Sequence, residues 1–498
     1  MGAETGRNVL FVVLDTVRTD RLTPYGHDRP TSPRLDAFAD EARTYTEAVA
    51  PAPWTLPVHA SMFTGQYPSQ HTATQESPYL PADTGTLAAA LSEAGYATAC
   101  FSSNAWITPY TRLTAGFDEA DNFFRALPGG APSVAAKLWE RASEGRLRPM
   151  ADRLVALGNR VHEKLAARGH GESNTPEIVD RTIEFIEDTD DRPWFAFLNL
   201  MDAHLPYHPP EQYREALAPG VDPGAVCGNS KAYNSGARAV DPEEFDSIRQ
   251  LYDAEIRHMD TEVGRLFEWL ERTDRWDDTT VIVCADHGEL HGEFGLFGHE
   301  FAVYDPLVNV PLLVKHPELD PGRTSRQIEL LDLYDTVLEA AAATEFPPAV
   351  GARGFEPGRS LLSSGRPIDD GEYAFIEYSR PDVELTQLES TAATAGIELD
   401  PKSRFYSRMR AVRRPDGKYV ENELIDDEAY RLAGSGTEAE PLDLDSSQAT
   451  ALRAALDRFV RNHGALWEVD ERGPGTDPSL PEMDGATRRR LRDLGYLE

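Results

Sequence analysis

Apolar and polar positions along this chain fall into blocks whose period changes. Asn8–Leu14 (NVLFVVL) is a continuous, Val-rich apolar run, the pattern of a central strand covered on both faces. Tyr96–Ser102, Phe195–Leu200, Val281–Ala285 and Pro311–Lys315 also read as strands. Between them the pattern turns helical. Ser32–Ala42 has Pro33 directly after a capping Ser32, Thr84–Ala94 is closed by Gly95, and Tyr252–Arg272 is strongly amphipathic. Ile328–Ala343 reads as one more helix, and residues 211–245 as a loop with a Gly-rich centre. Strands alternating with helices predict an α/β domain on a large, mostly parallel sheet flanked by helices. An Arg-rich helical stretch predicts an insertion at about residues 130–170. From about Gly351 the texture changes. Arg353–Leu361 is turn-rich, Tyr373–Tyr378, Ser407–Arg413 and Lys418–Asn422 are strand-like, Thr450–His463 is helical, and Ala486–Leu497 reads as a basic tail helix. The expected division is a large α/β domain over residues 1–355 and a smaller α+β C-terminal domain over 356–498.

Charge narrows the choice of partners. The 498 residues carry 84 Asp and Glu against 49 Lys and Arg, a formal net charge of −35, and only six of the cations are Lys. Such a surface argues against nucleic acid or an anionic membrane as partner. Acidic excess with few Lys suits a protein solvated in high salt, so a halophilic protein is expected, with an ordinary acidic cytosolic enzyme as the alternative. Three cysteines are too few and too scattered for a disulfide framework. No apolar run reaches membrane-spanning length, and the N-terminus enters a strand without a basic and apolar leader. The expectation is a cytoplasmic protein with no membrane insertion; the sequence leaves the oligomeric state open.

Candidate chemistry gathers at turns. Asp15 ends the first apolar run, Thr55 stands before Pro57 at a helix start, Asp202-Ala203-His204 follows FAFLNLM, and Asp286-His287-Gly288-Glu289 follows VIVCA. In open α/β sheets, ligands bind beyond the carboxyl ends of the strands. The plainer reading makes Asp15 a helix cap and Asp286-His287 a capped turn.

The segment Ala52-Pro-Trp-Thr-Leu-Pro-Val-His-Ala-Ser-Met-Phe-Thr-Gly-Gln-Tyr-Pro68 resembles the sulfatase signature, with Pro57, Thr64, Gly65 and Pro68 in register. Thr55 stands where that family has the Cys or Ser oxidised to formylglycine, and His59 where it has Arg. Leu14–Leu22, Ala285–His299, Asn309–Leu312, Leu331–Thr336, Tyr252–Leu270 and Arg490–Leu497 are similar to family blocks in family order. The chain is thus identified as a member of the sulfatase family of the alkaline phosphatase superfamily, which implies an alkaline-phosphatase-like fold. The resemblance implies that Asp15, Asp286 and His287 bind one divalent metal ion, with Thr55 Oγ as the reacting ligand. Such a donor set suits Ca²⁺, Mg²⁺, Mn²⁺ or Zn²⁺. Thr16 stands where sulfatases usually have a second acidic ligand. His204 resembles a family His that contacts the leaving group, and His299 replaces a sulfate-binding Lys. Either imidazole is a candidate general acid or an ordinary polar residue. His59 supports Thr55 from one helical turn away or faces solvent.

Thr is no substrate for formylglycine formation, so an unmodified hydroxyl nucleophile is expected. The implied enzyme cleaves small-molecule or glycan sulfate or phosphate esters. Alternatives are a phosphodiesterase or phosphoryl-group transferase on the same scaffold, and a non-catalytic binding protein.

Overall fold

The computed structural model describes residues 6–74, 77–123, 173–189, 192–344, 353–363, 373–433 and 437–464. The expected insertion at 130–170 and the tail helix at 486–497 lie outside the described residues.

The apolar runs build one nine-stranded sheet. Its strands are β1 (Asn8–Leu14), β2 (Arg43–Val49), β3 (Ala97–Ser102), β4 (Glu119–Asn122), β5 (Trp194–Leu200) and β6 (Thr279–Cys284). A small ribbon of β7 (Leu290–His291) and β8 (Phe297–Gly298) intervenes before β9 (Asn309–Lys315), β10 (Gly322–Thr324) and β11 (Ile328–Glu329). The spatial order is β10-β2-β9-β6-β1-β5-β3-β4, with β11 also on β2. Every pairing is parallel except those of β9, which runs against both β2 and β6. β1 lies between β5 and β6, and its side chains from Val9 to Leu14 are buried, as an all-apolar strand requires. Helices flank the sheet in two groups. Pro33–Ala39, Thr175–Asp188 and Pro242–Arg272 pack together, as do Thr55–Thr64, Leu87–Glu93 and Asp332–Ala340.

Two expectations are corrected. The stretch 211–245 is not one loop: it holds the helices Glu211–Leu217 and Ser230–Asn234, and the long helix already begins at Pro242. Asp241 caps that helix by accepting the Glu244 N–H at 2.8 Å, with Pro242 in the first turn. Ile328–Ala343 is not a single helix. Ile328–Glu329 pairs parallel to β2, the Leu330 N–H still bonds the Val49 carbonyl at 2.9 Å, and the helix covers only Asp332–Ala340, with the Asp332 carboxylate taking the Glu329 N–H at 3.1 Å.

The C-terminal part forms an antiparallel meander of β12 (Ala374–Tyr378), β13 (Met409–Arg414), β14 (Gly417–Asn422), β15 (Glu428–Ala433) and β16 (Thr437–Pro441). Helix Ser447–His463 covers it with buried Leu452, Leu456 and Phe459. A further helix, Asp382–Thr394, has no counterpart in the sequence reading.

Candidate active site

β1, β5 and β6 run side by side in parallel, so the residues after them emerge at one edge of the sheet. Asp15 leaves β1 with its N–H on the Leu200 carbonyl at 2.9 Å, and Asp286 follows β6. Thr16 then takes a left-handed backbone (φ 61°), unusual for a β-branched residue. The turn is held by its own groups. Thr16 N–H donates to Asp286 Oδ1 at 3.3 Å, and Thr16 Oγ1 donates to the Ala203 carbonyl at 2.6 Å. Gly288 is required where it stands, since a Cβ there would lie 2.0 Å from the Pro306 carbonyl oxygen.

These turns bring Asp15, Asp286 and His287 together, with one candidate ligand atom from each within 4.8 Å of the others. All three are fully buried. Asp15 Oδ2 accepts from Asn104 Nδ2 (2.9 Å) and Asn199 Nδ2 (3.1 Å), and Asp286 Oδ1 accepts from two backbone N–H groups. The other two oxygens, Asp15 Oδ1 and Asp286 Oδ2, are buried with no hydrogen-bond partner. His287 Nδ1 donates to the Gly288 carbonyl at 3.0 Å, so its neutral tautomer turns the Nε2 lone pair to these oxygens, 3.5 Å from Asp286 Oδ2 and 3.9 Å from Asp15 Oδ1. Burial, joined by nearby His299, drives the His287 pKa down to about 3, which keeps that lone pair available. Burial and the Asp15 carboxylate push Asp286 well above its ordinary value. Two orphaned carboxylate oxygens and one unprotonated imidazole nitrogen fit a bound divalent cation.

Thr55 opens helix Thr55–Thr64 after an extended Trp54, with Pro57 tolerated in the first turn and Gly65 (φ 67°) ending it. Its Oγ1 lies 3.4 Å from His287 Nε2 and accepts from Asn104 Nδ2 at 3.2 Å. His59, one turn on, is buried and does not face solvent. Its Nδ1 donates to the Thr55 carbonyl at 2.9 Å and lies 3.7 Å from Asp286 Oδ2; the ring packs edge-on against Phe197. Burial lowers its pKa to about 4.

His204 and His299 stand beside the cluster. Their rings meet at 5.2 Å, and His299 lies 4.5 Å from the His287 ring. His204 Nδ1 donates to the Leu205 carbonyl at 2.8 Å. His299 Nδ1 bonds Glu289 Oε1 at 3.0 Å. Burial opposes its protonation, yet the Glu289 and Glu300 carboxylates outweigh burial and raise the pKa to about 9. Thr55, His204 and His299 line one cavity of about 340 Å³, with Trp54, Trp106 and Tyr378 among its walls. Sequence reasoning missed Asn104, Asn199 and Glu300. The first two are amides with no spacing signature, and Tyr378 and Glu384 reach the cavity from the C-terminal part.

The chain matches the sulfatase family over residues 7–343, and it belongs to that family. It is 26% identical over 429 residues to the multifunctional alkaline phosphatase superfamily protein PehA of Trinickia caryophylli, covering 76% of this chain and 81% of that one. It is 24% identical to the choline-sulfatase of Rhizobium meliloti, covering 94% of this chain and 88% of that one. Its fold is similar to the phosphonate monoester hydrolase of Agrobacterium radiobacter (TM-score 0.65, 21% identity, 92% and 96% of the two chains). The chain is therefore a hydrolase with the alkaline-phosphatase-like fold of sulfatases. Among the described residues no helix is long and apolar enough to cross a membrane.

Proposed function

We propose that this chain is a metal-dependent hydrolase of sulfate or phosphate esters, with unmodified Thr55 as covalent nucleophile. The observation that supports it most is the position of Thr55 Oγ1, 3.4 Å from His287 Nε2 and on the wall of the cavity. Asp15, Asp286 and His287 would hold one divalent ion. When bound, that ion supplies positive charge that favours an ionised hydroxyl and draws electron density from the ester.

The side chains divide the remaining work. Thr55 Oγ, its proton passed to solvent in the open cavity, attacks sulfur or phosphorus, and the bond to the alcohol oxygen breaks as the new bond forms. His204 gives a proton to the departing alcohol. His299, protonated beside Glu289, faces the charge on the non-bridging oxygens, aided by the N-terminus of helix Thr55–Thr64. His59 holds the first helical turn through the Thr55 carbonyl. Water then attacks at sulfur or phosphorus and returns the Thr55 hydroxyl.

The hydroxyl bears on the substrate. A formylglycine hydrate expels sulfate by collapsing to an aldehyde, a route closed to a sulfated Thr. A phosphorylated Thr is released by ordinary attack at phosphorus. This supports a second reading, a phosphodiesterase or phosphoryl-group transferase, beside the sulfatases among the relatives.

The test is direct. Thr55→Ala should lose activity by several orders of magnitude, and Thr55→Ser should retain part of it. Trapping with aryl sulfate, phosphate monoester and phosphodiester in separate parallel reactions should add a sulfuryl, phosphoryl or substituted phosphoryl group to the peptide holding Trp54 and Thr55, and the substrate that modifies it identifies the ester. An unmodified peptide with normal turnover in Thr55→Ala would make the nucleophile a water molecule.

A further inference from the structure

Asn104 sits where β3 gives way to the cavity wall and is only 2% exposed. The Trp106 N–H donates to its Oδ1 at 2.8 Å, and an N–H can only meet the oxygen end of an amide. That bond assigns the amide orientation and turns Nδ2 toward the site. The two Nδ2 hydrogens find two acceptors, Asp15 Oδ2 at 2.9 Å and Thr55 Oγ1 at 3.2 Å. The backbone is held as firmly: its N–H donates to Ser102 Oγ at 2.9 Å and its carbonyl accepts from Asn122 Nδ2 at 2.7 Å. Four fixed bonds outside the Thr55 contact leave the amide nowhere else to turn.

We propose that Asn104 is a positioning residue for the nucleophile, fixing the Thr55 hydroxyl and stabilising the negative charge that develops on its oxygen. The inference rests on Thr55 being the nucleophile. A hydrogen bond to a neutral hydroxyl is modest, but the same bond becomes charge-assisted as Oγ1 ionises. It therefore strengthens along the reaction, the condition for raising kcat and not merely binding. The donor is uncharged and pre-oriented, so it needs no rearrangement as the charge appears.

Asn199 separates this role from simple support of Asp15. Its Nδ2 also donates to Asp15 Oδ2, at 3.1 Å, while its Oδ1 accepts from Ser102 Oγ at 3.1 Å. Both variants remove one donor to Asp15, and only the Asn104 variant removes the donor to Thr55.

The experiment compares Asn104→Ala, Asn104→Asp and Asn199→Ala at saturating Mn²⁺, with Mn²⁺ affinity measured by calorimetry. Asn104→Asp keeps an oxygen for the Trp106 N–H but sets a second carboxylate against Asp15, so the comparison rests on the two Ala variants; near-UV circular dichroism checks all three. Both Asn104 variants should lose about 100-fold in kcat with KM little changed. The loss in Asn199→Ala should be smaller by about tenfold or more. Mn²⁺ affinity should weaken to a similar degree in the two Ala variants. Equal kcat losses in Asn104→Ala and Asn199→Ala would reduce Asn104 to a support for Asp15 and overturn the proposal. Thr55→Ala run alongside keeps the two readings apart, since normal turnover there sinks the nucleophile itself.

Discussion

Two buried clusters of carboxylates face the same electrostatic problem and meet it differently. The first joins the two sheets. Asp305, Glu47 and Glu438 surround Arg413 and Lys418, all in the interior. Arg413 reaches Asp305 (2.8 Å) and Glu47 (2.6 Å), and Lys418 reaches Asp305 (2.9 Å) and Glu438 (3.0 Å). Burial opposes the Asp305 charge, but Arg413 and Lys418 more than offset it and hold its pKa below the usual range. The second cluster is Asp15 with Asp286. The imidazoles within it, His59 and His287, are kept neutral by burial, and the amides that bond Asp15 carry no charge. One cluster is closed by its own cations, each of its three carboxylates bonding Arg413 or Lys418, with Glu438 Oε2 left over. The other leaves two carboxylate oxygens without partners and asks for a cation from outside.

The comparison can be broken at either end. The largest effect should follow Asp286→Asn, which removes a proposed ligand; turnover should fall by orders of magnitude while circular dichroism stays native. Breaking the closed cluster should do the reverse. Arg413→Met leaves Glu47 buried without a cation and Asp305 with Lys418 alone, and should cost about 3–5 kcal/mol in chemical denaturation. Metal affinity should survive in whatever fraction folds. In metal-free protein the same Asp286→Asn should raise stability, by on the order of 1 kcal/mol, because it relieves a buried charge repulsion. A loss of stability there would mean that Asp286 is held for structure.

Acid should sharpen the contrast next. His59, His71 and His287 are held neutral by burial, with pKa values of about 4, 3 and 3 against an ordinary 6.5. Below pH 6.5 the unfolded chain binds protons at these sites and the folded chain does not. Stability is therefore full above that pH and falls as pH drops toward those values. Denaturation midpoints at pH 7 and pH 5 check the sign, and a rise on acidification would contradict it. Salt should act mostly on the surface. With a formal net charge of −35, the unfolding temperature should climb between dilute and molar salt, where screening shortens to about 3 Å. A flat profile would remove the halophilic reading.

What the sequence disclosed follows the range over which each signal acts. β1, β5 and β6 are nearly unbroken apolar runs, and the residues that follow them are where ligand chemistry collects, so Asp15, Asp286 and His287 were legible before any coordinates. Arg43–Val49 escaped notice because its Thr and Glu residues interrupt the run; it is a strand because β9 pairs with it. The split of Ile328–Ala343 comes from the pairing of Ile328–Glu329 with β2, a partner far away in sequence, which no periodicity displays. His59 stands where the resemblance puts the family's Arg, one helical turn after Thr55. Its burial against Phe197 depends on a strand far away in sequence. Asn104 was missed for the same reason: its partners are Asp15 and Thr55, which only the folded sheet brings within reach.

The central claim is that the Asp15–Asp286–His287 cluster is completed by a single divalent cation. Titration of chelator-treated protein with Mn²⁺ or Ca²⁺, read by calorimetry and by elemental analysis after gel filtration, measures this directly. The account predicts one ion per chain, lost in Asp286→Asn and kept in Asn199→Ala at raised metal. Full occupancy in Asp286→Asn would contradict it.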